Sequence, residues 1–298
     1  MRPSTQPRST SIAALAAIIL VAAVAPAAFA DSAAIARGAY LANAADCAAC
    51  HTDSAHGGRP YAGGRALATP FGTFYSPNIT PDADTGIGRW SAAQFLRALH
   101  DGVRADGANL FPVFPYPSFT RITNGDALAI WAYLRSLAPV HHKNRLPDLP
   151  FPLSWRPLQT VWKWLFFAPG RFHPAPGRSA EWNRGAYLVT ALAHCGECHT
   201  PRNFFGAMKS RRFLAGTRHG PDGKPVPNIT PDRKTGIGNW SIADIVALLT
   251  DGQTPSFDFV GGAMAEVVQS TSRLAPADRR AIALYLKSLP PLPGPERE

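Results

Sequence analysis

Where the apolar and polar positions of this chain show a period, it is helical. Ile130, Tyr133, Leu134 and Leu137 fall at i, i+3, i+4 and i+7, and Ile282, Tyr285, Leu286 and Leu289 repeat that stripe. Each set predicts a helix with one apolar face toward a core. Thr123 and Asp126 are spaced as a capping box for the first. Pro276 suits the first turn of the second, where its missing N–H has no helical acceptor to lose. Ser91 to His100 and Ser241 to Thr250 each begin at a serine suited to N-capping and predict a second pair of helices. Arg37 to Ala48 and Arg184 to His194 predict a third pair. No run alternates with period two over the length of a strand, so the expected fold class is all-α.

The pairing reflects an internal repeat. Arg37-Gly38-Ala39-Tyr40-Leu41 recurs as Arg184-Gly185-Ala186-Tyr187-Leu188, and Asn78-Ile79-Thr80-Pro81-Asp82 as Asn228-Ile229-Thr230-Pro231-Asp232. Thr85-Gly86-Ile87-Gly88 and Trp90-Ser91 recur as Thr235-Gly236-Ile237-Gly238 and Trp240-Ser241, and the offset stays between 147 and 152 residues. A period this long predicts two whole domains in tandem rather than a solenoid. Their expected bounds are 31–147 and 181–298, joined by a linker at 148–180. Eight prolines between Pro139 and Pro176 predict largely extended backbone there. Within this stretch Trp155, Leu158, Trp162, Leu165 and Phe166 share one helical face, flanked by Arg156 and Lys163, with Trp164 and Phe167 beside them. Its thin polar face favours packing against the two domains over a partner-docking surface or a membrane-interface helix.

Residues 1–30 form a signal peptide by pattern. Arg2 and Arg8 supply a positive start, Ile12 to Ala25 is an apolar run too short to span a bilayer comfortably, and Ala28-Phe29-Ala30 is a cleavage site before Asp31. The expected location is the periplasm, soluble or held peripherally at the inner membrane. The formal net charge of the whole chain is +10, and residues 151–180 carry four basic and no acidic side chains. No nucleic-acid motif accompanies this charge. It is better suited to steering toward an acidic protein partner or an anionic membrane surface.

The cysteines specify the chemistry. Cys47-Ala48-Ala49-Cys50-His51 and Cys195-Gly196-Glu197-Cys198-His199 use all four in the chain. C-x-x-C-H is the attachment signature of c-type haem. Two thiols three positions apart on a forming helix each add to one vinyl group, and the histidine supplies the proximal imidazole. A structural zinc site would bring its pairs closer than the 144 residues between these, and would have no need of a histidine after each. A thioredoxin-like pair would need a βαβ context, whereas these flanks are helical. The expected cofactors are therefore two covalently bound haem c groups, with His51 and His199 as iron ligands.

A second axial ligand is commonly methionine. After residue 30 the methionines are Met208 and Met264. Met264, before the last helix, is the expected sixth ligand of the second haem. Met208, nine residues past His199, is expected to pack. In the first repeat the comparable stretch, Leu110 to Phe119, has no methionine. The first iron is then expected to stay five-coordinate or to recruit one of the other histidines of this half, His56, His100, His141 or His142, with His100 the first candidate because it ends a helix.

The repeated N-I-T-P-D-x-x-T-G-I-G-x-W-S element, the Ser179 to Leu188 entry and the Cys195 to Arg202 run resemble the multihaem cytochrome c subunits of membrane-associated bacterial dehydrogenases of the alcohol and gluconate type. The resemblance covers nearly all of the chain after residue 30. It implies class I cytochrome c domains. It also implies electron transfer from a separate catalytic dehydrogenase subunit to a quinone or to another cytochrome or oxidase, with no catalytic residues in this chain. By the same resemblance, the Pro77 and Pro227 carbonyls orient the proximal histidines, and Trp90 and Trp240 contact haem. Two departures stand out: such subunits often carry three haem domains, and Phe114 occupies the methionine place of the family's L-Y-P-A-M-P-Y segment. The alternative function is a dihaem peroxidase-like enzyme with an open first haem. Val113 and Phe114 offer an apolar surface where that chemistry needs an acid or base.

Overall fold

The computed structural model describes Met1, residues 25–220 and residues 223–295. The expected positive start and apolar run of the signal peptide lie outside these, while the first helix passes through the expected cut before Asp31. In chain order the helices and strands are α1 (Ala25–Ala44), α2 (Cys47–Cys50), β1 (Ala66–Thr69), β2 (Gly72–Tyr75), α3 (Ala92–Asp101), α4 (Tyr116–Phe119), α5 (Asn124–Ser136), α6 (Leu158–Phe166), α7 (Ala180–Tyr187), α8 (Gly196–His199), α9 (Ile242–Asp251), α10 (Gly262–Thr271) and α11 (Pro276–Lys287). A π-helical turn, Leu188–Leu192, continues α7 toward α8. The structure is mostly helical, with one antiparallel hairpin that the sequence pattern does not announce. In it Ala66 faces Tyr75 and Thr69 faces Gly72. Four-residue strands, one of them half-buried throughout, are too short to show alternation.

Two helix crossings repeat. α1 packs on α5, and α7 packs on α11. At each crossing the glycine of the repeated pentapeptide brings backbone against backbone. A Cβ on Gly38 would stand 1.9 Å from the Ala129 carbonyl oxygen, and one on Gly185 would stand 2.0 Å from that of Ala281. The predicted stripes supply the buried face. Ile130, Leu134, Ile282, Tyr285 and Leu286 are buried with Leu41, Ile122, Leu188 and Leu192.

Ser91 and Ser241 cap α3 and α9 through reciprocal boxes. The Gln94 N–H donates to Ser91 Oγ at 3.2 Å and the Asp244 N–H to Ser241 Oγ at 3.1 Å, and both side chains return the bond. Thr123 caps α5, but Asp126 returns no bond to it. That carboxylate accepts from Arg37 and Tyr187 instead. Pro276 occupies the first turn of α11, as expected.

The linker helix α6 meets the expectation of internal packing only in part: it touches both halves of the chain but leaves several apolar side chains exposed. Lys163 Nζ donates to the carbonyls of Asp101 and Gly102 at 2.7 and 2.8 Å, and Arg156 donates to the Asn109 carbonyl at 2.8 Å. These cations tie the linker to the first half of the chain. Trp162 and Phe166 are half-buried against Tyr116 and Phe205. Trp155, Val161, Trp164 and Leu165 are left exposed, Trp164 by 83%. Among the described residues no helix is long and apolar enough to cross a membrane.

Candidate functional site

Each cysteine pair sits on a single helical turn reached through a sharp change of direction. Asp46, before α2, and His194, before α8, both have positive φ, 54° and 36°. The turns then close, with His51 N–H donating to the Cys47 carbonyl at 2.9 Å and His199 N–H to that of Cys195 at 3.0 Å. Positions three apart on a helical turn share a face. Cys47 and Cys50, and likewise Cys195 and Cys198, are therefore disposed to bind one flat group. None of the four is in a disulfide.

The histidine that follows each pair is held by a proline carbonyl. His51 Nδ1 donates to the Pro77 carbonyl at 2.8 Å, and His199 Nδ1 to the Pro227 carbonyl at 2.8 Å. A carbonyl can only accept, so both rings carry their proton on Nδ1 and present the Nε2 lone pair. Burial lowers the basicity of both imidazoles, and the proline bond opposes it only in part, so each ring stays neutral at neutral pH. Burial also pushes the Cys47 and Cys195 thiols up to about 12 and Cys50 up to about 11. Two thiols on one face and a neutral, oriented imidazole fit the donor set of haem c, twice over. Among the described residues no group of three or more His, Cys, Asp or Glu side chains is placed to hold a bare metal ion.

The repeated asparagine loop that follows each proline is tied to itself by hydrogen bonds. Asn78 Nδ2 donates to Thr85 Oγ1 at 2.9 Å, its Oδ1 accepts from the Thr80 N–H at 2.9 Å, and Asp82 Oδ1 accepts from the Thr85 N–H at 2.7 Å. In the second copy Asn228, Thr230, Asp232 and Thr235 make the same bonds at 3.0, 2.8 and 2.6 Å. The half-buried Trp90 and Trp240 follow these loops and pack against the hydrophobic core.

Phe114 and Met264 stand 150 residues apart, within the range of the repeat offset. Met264 is half-buried near the start of α10. Phe114 is half-buried against Phe119, ring centres 5.6 Å apart, and Phe119 in turn meets His194 at 5.3 Å. His100 is buried with its Nε2 lacking a hydrogen bond, and burial followed by the nearby Arg171 brings its pKa down to about 4. His56 pairs with Asp53, His141 lies 3.6 Å from Asp82, and His142 Nδ1 donates to the Ala62 carbonyl. Met208 is half-buried, bridged to Arg202. Sequence reasoning missed the buried carboxylates Glu197 and Asp278 and read Asp126 only as a capping partner. For Asp126 and Asp278 a signal was present, since the Arg and Tyr of the repeated pentapeptide are their partners.

The family model for cytochrome c matches residues 35–138. The chain is 46% identical to a nicotinate dehydrogenase component of Pseudomonas putida over 85% of its own length, but spans only 21% of that protein. It is 44% identical to the cytochrome c subunit of alcohol dehydrogenase (quinone) of Gluconacetobacter polyoxogenes, over 89% of this chain and 58% of that one. It is 41% identical to a diheme cytochrome c-type protein of Cereibacter sphaeroides, over 85% of each.

Proposed function

The chain belongs to the cytochrome c family, and from that premise we propose that it is an exported dihaem electron carrier, passing electrons from a partner dehydrogenase to a quinone or to another cytochrome or oxidase. The observation that carries this reading is the C-x-x-C-H turn made twice, each with its histidine oriented by a proline carbonyl. Two cytochrome c domains, 31–147 and 181–298, would each hold one haem, with residues 148–180 between them. Cys47 and Cys50 would bind the first haem, and Cys195 and Cys198 the second. His51 and His199 would ligate the irons, with Met264 the sixth ligand of the second, and Trp90 and Trp240 packing on the haems.

Haem, when bound, supplies a one-electron couple at iron. The chain's own residues do the rest. The Pro77 and Pro227 carbonyls fix the imidazole tautomer and raise ligand basicity. The names of the relatives, dehydrogenase components and a quinone-linked cytochrome subunit among them, support a catalytic partner and a respiratory acceptor. The apolar leader supports export, and the exposed aromatic face of α6 supports peripheral association with a membrane. The peroxidase-like alternative is not favoured by these relatives, and Phe114, packed on Phe119, offers no proton donor.

Purified alone, the chain is expected to accept electrons from a partner dehydrogenase with its substrate, and not to oxidise alcohols, aldehydes or sugars. Steady turnover of hydrogen peroxide with a reduced carrier would move the assignment to the peroxidase reading.

A further inference from the structure

The two repeats are joined by side chains that the haem motifs do not use. Tyr40 of α1 donates to Asp278 Oδ2 of α11 at 2.6 Å, and Arg184 of α7 donates to the same carboxylate at 2.9 and 2.6 Å. The arrangement recurs with the halves exchanged. Tyr187 donates to Asp126 Oδ2 of α5 at 2.7 Å, and Arg37 of α1 donates to Asp126 Oδ1 at 3.0 Å. Each carboxylate therefore takes its arginine from its own repeat and its tyrosine from the other. The tyrosine oxygens are used twice, since Tyr40 accepts from the Ala275 N–H at 3.0 Å and Tyr187 from the Thr123 N–H at 3.2 Å. Both carboxylates are buried, so hydrogen bonds to them are of the strong, charge-assisted kind.

The same junction reaches the attachment turns. Ser270 Oγ donates to Asp46 at 2.5 Å, one residue before Cys47. Ser118 Oγ donates to Glu197, inside the second C-x-x-C, at 2.6 Å. Arg65 donates to the Ala49 carbonyl, inside the first, and pairs with Glu266 of the second half, both at 2.7 Å. The two motifs thus face one junction, which the crossed tyrosines span together with these bonds.

We propose that Tyr40 and Tyr187 are positioning residues for electron passage between the two haems, holding the repeats so that the two attachment turns keep one relative orientation. This rests on the two-haem reading above. Each tyrosine joins the repeats while each arginine stays within its own, so removing a hydroxyl loosens the junction and leaves both repeats their own ion pair. Electron transfer between haems falls steeply as their separation and orientation become loose, so the effect appears in the transfer rate rather than in either potential.

The test uses the holoprotein with Tyr40→Phe, Tyr187→Phe and both together. Haem content comes from the pyridine haemochrome, each potential from spectroelectrochemistry, relative haem orientation from Soret circular dichroism, and the interhaem rate from flash photoreduction. The double variant is expected to keep two haems and wild-type potentials, to lose the interhaem signal in the Soret dichroism, and to transfer about tenfold more slowly. The single variants should lie between, and they carry the test if the double variant does not fold. A lower unfolding midpoint with the wild-type rate and dichroism would overturn the proposal. So would a slower rate that merely follows a shifted potential. A wild-type protein holding a single haem would instead overturn the two-haem reading beneath it.

Discussion

At the scale of single residues, the chain buries most of the surface of a few charged groups and leaves each with named partners. Asp278 is the clearest case. Burial alone would raise its carboxyl, but hydrogen bonds from Arg184 and Tyr40 outweigh this and hold it below the usual carboxylate range. A depressed folded value means that the stabilisation is present above the unfolded value near about 4 and is lost as pH falls through the folded one. Urea midpoints measured from pH 6 downward should therefore drop for the wild type in that acid window. Asp278→Asn should start lower and drop less. A parallel fall in both would show that Asp278 is not among the groups responsible. The attachment residues were legible in the sequence because their chemistry is local: two cysteines and a histidine within five positions. Asp126 and Asp278 were not, because their tyrosine partners lie 61 and 238 residues away. The Thr123 to Asp126 spacing even suggested a local capping role that the tertiary partners took over.

At the scale of elements, the helices follow their apolar stripes and serine caps, and the crossings follow the glycines. Gly185→Ala would put a methyl carbon 2.0 Å from the Ala281 carbonyl oxygen, so α7 and α11 would have to move apart. A loss of about 3 kcal/mol is expected from such overpacking, measured by denaturant unfolding of the holoprotein. Gly125, also helical, has nothing within 4 Å of an added Cβ. Gly125→Ala should be neutral or stabilising by about 0.5 kcal/mol. Equal effects at the two sites would contradict the close-crossing account. Two features at this scale were not legible. The β1–β2 hairpin is too short to leave a period. The orientation of α6 is set by Lys163 and Arg156 reaching carbonyls in the first half, which no hydrophobic stripe encodes.

At the scale of the whole molecule, the repeat was visible from its narrow range of offsets, while the way the halves meet was not. The junction is built from the pentapeptide itself. Its arginine bonds within its own repeat, its glycine seats the helix crossing, and its tyrosine reaches across. A duplicated motif thus serves both the inside of each half and the contact between them. The repeat is broken at one place that bears on function, where Met264 in the second copy answers to Phe114 in the first. Phenylalanine cannot ligate iron, and loss of a thioether removes a ligand that favours the ferrous state. The two haems are therefore expected to differ in potential, the first below the second. An anaerobic potentiometric titration of the purified holoprotein, followed by electron paramagnetic resonance, tests this account most directly. It should take up two electrons per chain in separate steps, with a low-spin His/Met signal belonging to the higher step and a different ferric signal to the lower. Uptake of one electron, or two identical His/Met signals titrating together, would contradict it.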